Sequence, residues 1–128
     1  MRILVIGATG KTGRQIVSQA LDRGHEVTAL ARNSSKVKTQ DHLKTIKGDV
    51  LDPSSLDLAM KDQDAVLCAL GHKRWLGPTS ILSRGTANIV NAMKKHNVTR
   101  LIVVTALGVG DSRFRLGLTY TLFTIPVI

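Results

Sequence analysis

Glycines at positions 7, 10 and 13 follow the apolar run Ile3 to Ile6 and lead straight into a helix-forming stretch. Strand, glycine turn and helix, in that order, build a pocket for the diphosphate of a dinucleotide in parallel α/β domains. The first glycine permits the tight turn, the second lets the backbone approach the phosphates, and the third lets the helix pack close to the strand. The new helix offers the anion its free N–H groups and the positive end of its dipole. The plainer alternative is an ordinary strand–helix turn that happens to be rich in glycine.

The end of the second strand bears on which dinucleotide fits. A site for NAD places a carboxylate there, against the ribose 2′-hydroxyl. Here the sequence is Ala31-Arg32-Asn33-Ser34-Ser35, with no acid. Arg32 offers a planar fork to a 2′-phosphate, and Ser34 and Ser35 add hydroxyls, which favours NADP(H). The alternative is a simple surface arginine. Asp49, at the end of the third strand, can accept a hydrogen bond from an adenine amino group with Val50 against the ring, or it can cap the turn ahead of Pro53. His72 follows Leu70-Gly71 and could stand near the nicotinamide, or be a solvated loop histidine. Trp75 either lines the site or covers the edge of the core. The four histidines have no ligand spacing and Cys68 has no partner, so no metal is expected. No serine or cysteine stands in a triad arrangement.

Alternating elements must carry these residues. The pattern predicts strands over 2–6, 26–30, 43–47, 65–70 and 100–105, with helices over 11–23, 53–61 and 80–96 between them. The first helix presents Ile16, Val17, Ala20 and Leu21 on one face and ends at Gly24. Asp52-Pro53 caps and starts the second. The third buries Leu82, Ile89, Val90 and Met93. Helices between strands imply parallel pairing with right-handed crossovers. The fold expected is α/β: a Rossmann-like doubly wound parallel sheet, strand order 3-2-1-4-5, in a single domain over 1–128. A polar loop spans 33–41. Cys68 falls in an apolar run and reads as a buried strand residue.

At 128 residues the chain is large enough for a real core. There is no signal-peptide pattern and no run of the ~18 apolar residues a membrane span needs, so the expected location is the cytoplasm, consistent with one unpaired cysteine. The formal charge of +9 raises the question of nucleic acid, but the basic residues are dispersed and aromatics make up only 3%, too few for a stacking platform. A basic rim around a phosphate-rich cofactor accounts for part of the charge.

Five segments occur in one order: Gly7-Ala8-Thr9-Gly10-Lys11-Thr12-Gly13, Ala31 to Ser35, Gly48-Asp49-Val50, Gly85-Thr86-Ala87-Asn88-Ile89-Val90, and Thr105-Ala106-Leu107-Gly108-Val109-Gly110-Asp111-Ser112. Together they resemble the atypical short-chain dehydrogenase/reductases, and within them the biliverdin-IXβ reductase/flavin reductase-like and NmrA-like group. That resemblance implies NADP(H) along the strand ends. Thr9, Gly10, Lys11, Thr12 and Gly13 would hold the diphosphate, and Arg32 and Ser35 the 2′-phosphate. Asp49 and Val50 would meet the adenine, and Leu70 and Gly71 would lie by the nicotinamide ribose. Thr105 stands where many relatives carry a serine near hydride transfer, and with His72 it is a catalytic candidate. The Tyr-x-x-x-Lys pair of ordinary members is absent, since Tyr120 has Thr124 four residues on.

The function expected is an NADPH-dependent reductase of flavin-like or other conjugated acceptors. The alternatives are a non-catalytic NADP-sensing regulator working through a protein partner, as NmrA-like proteins are thought to do, and an inactive truncated remnant. Relatives continue through further strands and a substrate half. This chain is therefore expected to stop inside the helix after strand five, without most of the substrate pocket. The apolar stretch 116–128 is then expected to support self-association through that edge.

Overall fold

The computed structural model describes residues 1–38, 40–71 and 80–104. They form a single parallel sheet of β1 (Arg2–Ile6), β2 (Glu26–Ala31), β3 (Leu43–Lys47), β4 (Ala65–Cys68) and β5 (Leu101–Val103), with helices α1 (Lys11–Asp22), α2 (Pro53–Met60) and α3 (Ser80–Lys95) between strands. Strand order is β3-β2-β1-β4-β5, the order expected from sequence. Register runs from Arg2 opposite Glu26 to Ile6 opposite Leu30 on one side of β1, and from Ile3 opposite Ala65 to Ile6 opposite Cys68 on the other.

The central strand explains the two-layer core. Side chains alternate across a strand, so Leu4 and Ile6 face one side and Ile3 and Val5 the other. Leu4 and Ile6 join Leu56 and Met60 of α2 and Ile89 and Met93 of α3. Ile3 and Val5 join Val17 and Ala20 of α1. A sheet covered on both faces needs continuous apolar strands, and β1 and β4 read that way.

The element ends differ from the sequence reading in small ways. β4 stops at Cys68: the Ala69 N–H still donates to the Ile6 carbonyl at 2.9 Å, and Ala69 and Leu70 then line the cleft, although both are apolar enough to extend a strand on paper. β5 is confined to Leu101–Val103, and α1, α2 and α3 each end one residue earlier than expected. Leu82 is exposed rather than buried, and Ile81 is the residue that packs against the core there. The polar loop contains a short 3-10 turn, Ser34–Lys36. Cys68 is buried in β4 as expected, and burial pushes its thiol up. No helix among the described residues is long and apolar enough to cross a membrane, and no three His, Cys, Asp or Glu side chains among them form a metal-holding group.

Candidate functional site

The carboxyl ends of β1, β2, β3 and β4 open onto one cleft of about 670 Å³, within the size range of sites for small molecules and cofactors. It lies where the sheet order reverses, between β1 and the strands on either side of it, the usual position for a ligand in such sheets.

The three glycines of the first turn have three different reasons. Gly7 has φ +83°, and a Cβ on it would overlap the Ala69 carbonyl of the β4 exit. A Cβ on Gly13 would overlap the Gly7 carbonyl. Gly10 is different: its backbone is extended (φ −75°, ψ 166°), and the nearest atom to an added Cβ, the Gly7 carbonyl oxygen, is 3.4 Å away. The fold therefore demands glycine at 7 and 13 but not at 10, where the missing side chain leaves room on the cleft side. Gly10 is also the N-cap of α1 and supplies no side-chain cap. The first N–H groups of a helix have no intrahelical acceptor, so this uncapped end presents donors at the cleft. No acid sits in the first turn of α1, whereas Lys11, Thr12 and Arg14 line the cleft there. Cations beside the positive end of a helix dipole repel it, an arrangement that suits a bound anion.

At the exit of β2, Arg32 and Lys36 are both on the cleft wall. The Asn33 side chain caps the 3-10 turn, with its Oδ1 accepting from the Ser35 N–H (3.1 Å) and the Ser35 hydroxyl (2.6 Å). Ser35 is not among the described lining residues, so the cleft's donors at this corner are Arg32 and Lys36.

At the exit of β3, helices α2 and α3 fix the turn Gly48-Asp49-Val50. The Asp49 N–H donates to Ser55 Oγ at 3.0 Å, and Ser55 Oγ lies 2.8 Å from the Asp49 carbonyl oxygen, to which it can donate in turn. The Leu51 N–H donates to Asp49 Oδ1 at 2.9 Å, so Asp49 does cap its own turn. Asn88 Nδ2 of α3 donates to the Val50 carbonyl at 2.9 Å. Among the described residues the Val50 N–H has no acceptor in place. The close approach of α3 depends on Gly85, whose added Cβ would lie 2.9 Å from Val50 Cγ2 and 3.1 Å from Leu70 Cδ2.

The cleft thus brings together Gly7, Thr9, Gly10, Lys11, Thr12, Arg32, Asp49, Val50, Leu70 and Gly71 of the residues expected from sequence. Gly13 serves from behind, by letting α1 close on the turn. His72, Trp75, Thr105 and the stretch 116–128 lie outside the described residues. The sequence reading passed over Arg14 and Lys36. Arg14 was legible in principle, since it lies three residues beyond Lys11 and so on the same helix face. Ser55, Gly85 and Asn88 carried no individual signal: their roles depend on contacts made after folding.

An uncapped, cation-flanked helix end behind a glycine turn, at the switch point of a 3-2-1-4-5 sheet, defines a dinucleotide-binding domain. The chain belongs to the NAD(P)H-binding family, whose model matches residues 7–123. It is 38% identical over 108 residues to the uncharacterized protein YwnB of Bacillus subtilis, covering 84% of this chain and 48% of that protein. A Rossmann-fold NAD(P)-binding family protein from Shigella flexneri superposes with a TM-score of 0.71 at 31% identity, over 89% of this chain and 57% of that one. ChuY from Escherichia coli O157:H7, described as an anaerobillin reductase, shares the fold with a TM-score of 0.78 at 23% identity, over 99% of this chain and 62% of that one. The chain therefore spans about half the length of the Bacillus relative.

Proposed function

We propose that the protein binds NADP(H) in preference to NAD(H) and serves an NADPH-dependent reduction of a flavin-like or other conjugated acceptor. The observation that carries the cofactor choice is the β2 exit, where the cleft wall holds Arg32 and Lys36 and, among the described residues, no carboxylate. A 2′-phosphate meets a bidentate fork and a second point charge there, while a bare 2′-hydroxyl finds no described carboxylate. The four described cations of the cleft, Lys11, Arg14, Arg32 and Lys36, outnumber its one described acid, Asp49, as a ligand with three phosphates requires.

The residues fit the nucleotide along its length. The α1 end and Lys11 take the diphosphate. The Val50 N–H, without an acceptor, and the Asp49 carboxylate form a donor and acceptor pair suited to the amino edge of adenine. Leu70 and Gly71 stand toward the nicotinamide ribose. When bound, the cofactor supplies the hydride; the protein's part is to orient it and keep water from the reacting face.

The reductase reading rests on the family and on a fold shared with a reductase. It also rests on the resemblance to flavin reductase-like proteins, some of which work without a Tyr-x-x-x-Lys pair. Titration of NADP(H) and NAD(H), followed by NADPH oxidation with a panel of flavins and quinones, tests both halves. Equal affinity for the two cofactors would overturn the first half. Tight NADPH binding with no turnover on any acceptor would favour a redox-sensing regulator instead.

A further inference from the structure

Asn88 sits on α3, 38 residues from Val50 in sequence, and its partly buried amide donates to the Val50 carbonyl at 2.9 Å. That carbonyl belongs to the same peptide unit as the Leu51 N–H, which donates to Asp49 Oδ1 at 2.9 Å. A peptide unit is planar and rigid, so gripping its oxygen fixes the direction of its N–H. Asn88 therefore acts on the Asp49 carboxylate through one stiff plate: it holds the carbonyl, the plate holds the N–H, and the N–H holds one carboxylate oxygen. On the other side of Asp49, Ser55 anchors the main chain at 3.0 and 2.8 Å. The second carboxylate oxygen has no described protein partner, nor has the Val50 N–H, and both residues line the cleft.

We propose that Asn88 is a positioning residue that orients the Asp49 carboxylate and so sets the preference of the site for a 6-amino purine over a 6-oxo purine. The proposal rests on reading the cleft as a nucleotide site. Adenine offers a donor at its 6-amino group and an acceptor at N1, complementary to the Asp49 oxygen and the Val50 N–H. Hypoxanthine reverses both, placing an oxygen against the carboxylate and an N–H against the N–H. Such a mismatch leaves polar groups unpaired, and it discriminates only if the carboxylate is held in place.

The test is calorimetric titration of NADP⁺ and of its hypoxanthine analogue into the wild-type chain, Asn88→Ala and Asn88→Asp. The wild type is expected to prefer NADP⁺. Both variants lose the donor to Val50, and the preference is expected to narrow about three- to tenfold, the range of one ordinary hydrogen bond. A role for Asn88 in stability alone would weaken both ligands together and leave their ratio unchanged, and that result would overturn the proposal. Should Asn88→Ala not fold, Asn88→Asp, of nearly equal volume, reads the same ratio. A wild type that binds both nucleotides equally would overturn the proposal while leaving the site in place. A wild type that binds neither would overturn the nucleotide site itself.

Discussion

Gly13 packs so closely on Gly7 that a Cβ at position 13 would overlap the Gly7 carbonyl oxygen. The same carbonyl accepts the Gly10 N–H at 3.0 Å, so one oxygen organises all three glycines of the turn. Only Gly10 can gain a side chain without collision. Gly13→Ala is therefore expected to destabilise the domain by about 1–3 kcal/mol through overpacking against backbone. Gly10→Val is expected to cost roughly 1 kcal/mol as a poor N-cap, and to abolish nucleotide binding. Thermal melts with NADPH titrations check both. A folded Gly10→Val that keeps its affinity would place the phosphates elsewhere.

Arg32→Ala is expected to weaken NADP(H) binding by about 1.5–3 kcal/mol, the worth of a charge-assisted bidentate contact, and to leave NAD(H) almost unchanged. Lys36→Ala should move the same ratio in the same direction but less, because an exposed ammonium on a flexible stem is a weaker phosphate ligand. Isothermal titration at two salt concentrations measures both, with the NADP(H) advantage shrinking at high salt.

Much of this site was legible because its demands are local. The strand, glycine turn and helix follow from local residue types, and the structure brings the residues of the first and second strand exits onto one cleft. Helices between strands implied parallel pairing, and the dinucleotide-binding fold implied the order 3-2-1-4-5 that the sheet has. What escaped was non-local or set by geometry. Ala69 and Leu70 are as apolar as a strand, and nothing in their types says that the strand ends at Cys68 and that they line a cleft. Leu82 lies on the apolar stripe of α3, yet it is exposed. Asn88 looks like any polar residue of an amphipathic helix until the fold brings it to Val50. Asp49 was open between adenine and turn cap; the structure shows the cap, through one carboxylate oxygen.

The α2–α3 contact carries an acid-sensitive tie. Asp57 of α2 accepts from Lys95 Nζ, and its Oδ1 lies 2.8 Å from His96 Nε2 just beyond α3. The Lys95 hydrogen bond, followed by that of His96, holds the Asp57 carboxyl below its ordinary range. A carboxyl with a lowered folded pKa contributes stability that is complete above its unfolded pKa, at about pH 4, and is lost as pH falls through the folded value. Asp64, lowered chiefly by the Arg2 backbone N–H, acts in the same direction. Melting temperature is expected to fall below about pH 4, and Asp57→Asn to flatten that slope while lowering stability at neutral pH. An acid limb identical to wild type would show that the contact is not formed in solution.

The last prediction concerns the cost of keeping an anion site on α1 when no anion is bound. Lys11 occupies the first helical position and Arg14 the fourth, Gly10 gives no side-chain cap, and the first turn has no acid. Each feature is the opposite of what stabilises a helix start, where Asp or Glu near the N-terminus contributes roughly 0.3–1 kcal/mol and a cation opposes the dipole. Lys11→Glu reverses the interaction at one position. It should stabilise the ligand-free protein by about 0.5–1.5 kcal/mol, combining the lost repulsion and the gained attraction. The same change puts a carboxylate where the diphosphate is expected and should eliminate measurable NADPH binding. Adding NADPH would then raise the melting temperature of the wild type, through mass action on the folded state, and leave that of the variant unmoved. The two curves should cross: the variant melts higher alone and the wild type melts higher at saturating cofactor. A variant that is less stable than wild type without ligand would mean that Lys11 serves the fold, and the anion-site reading of the α1 end would lose its electrostatic support.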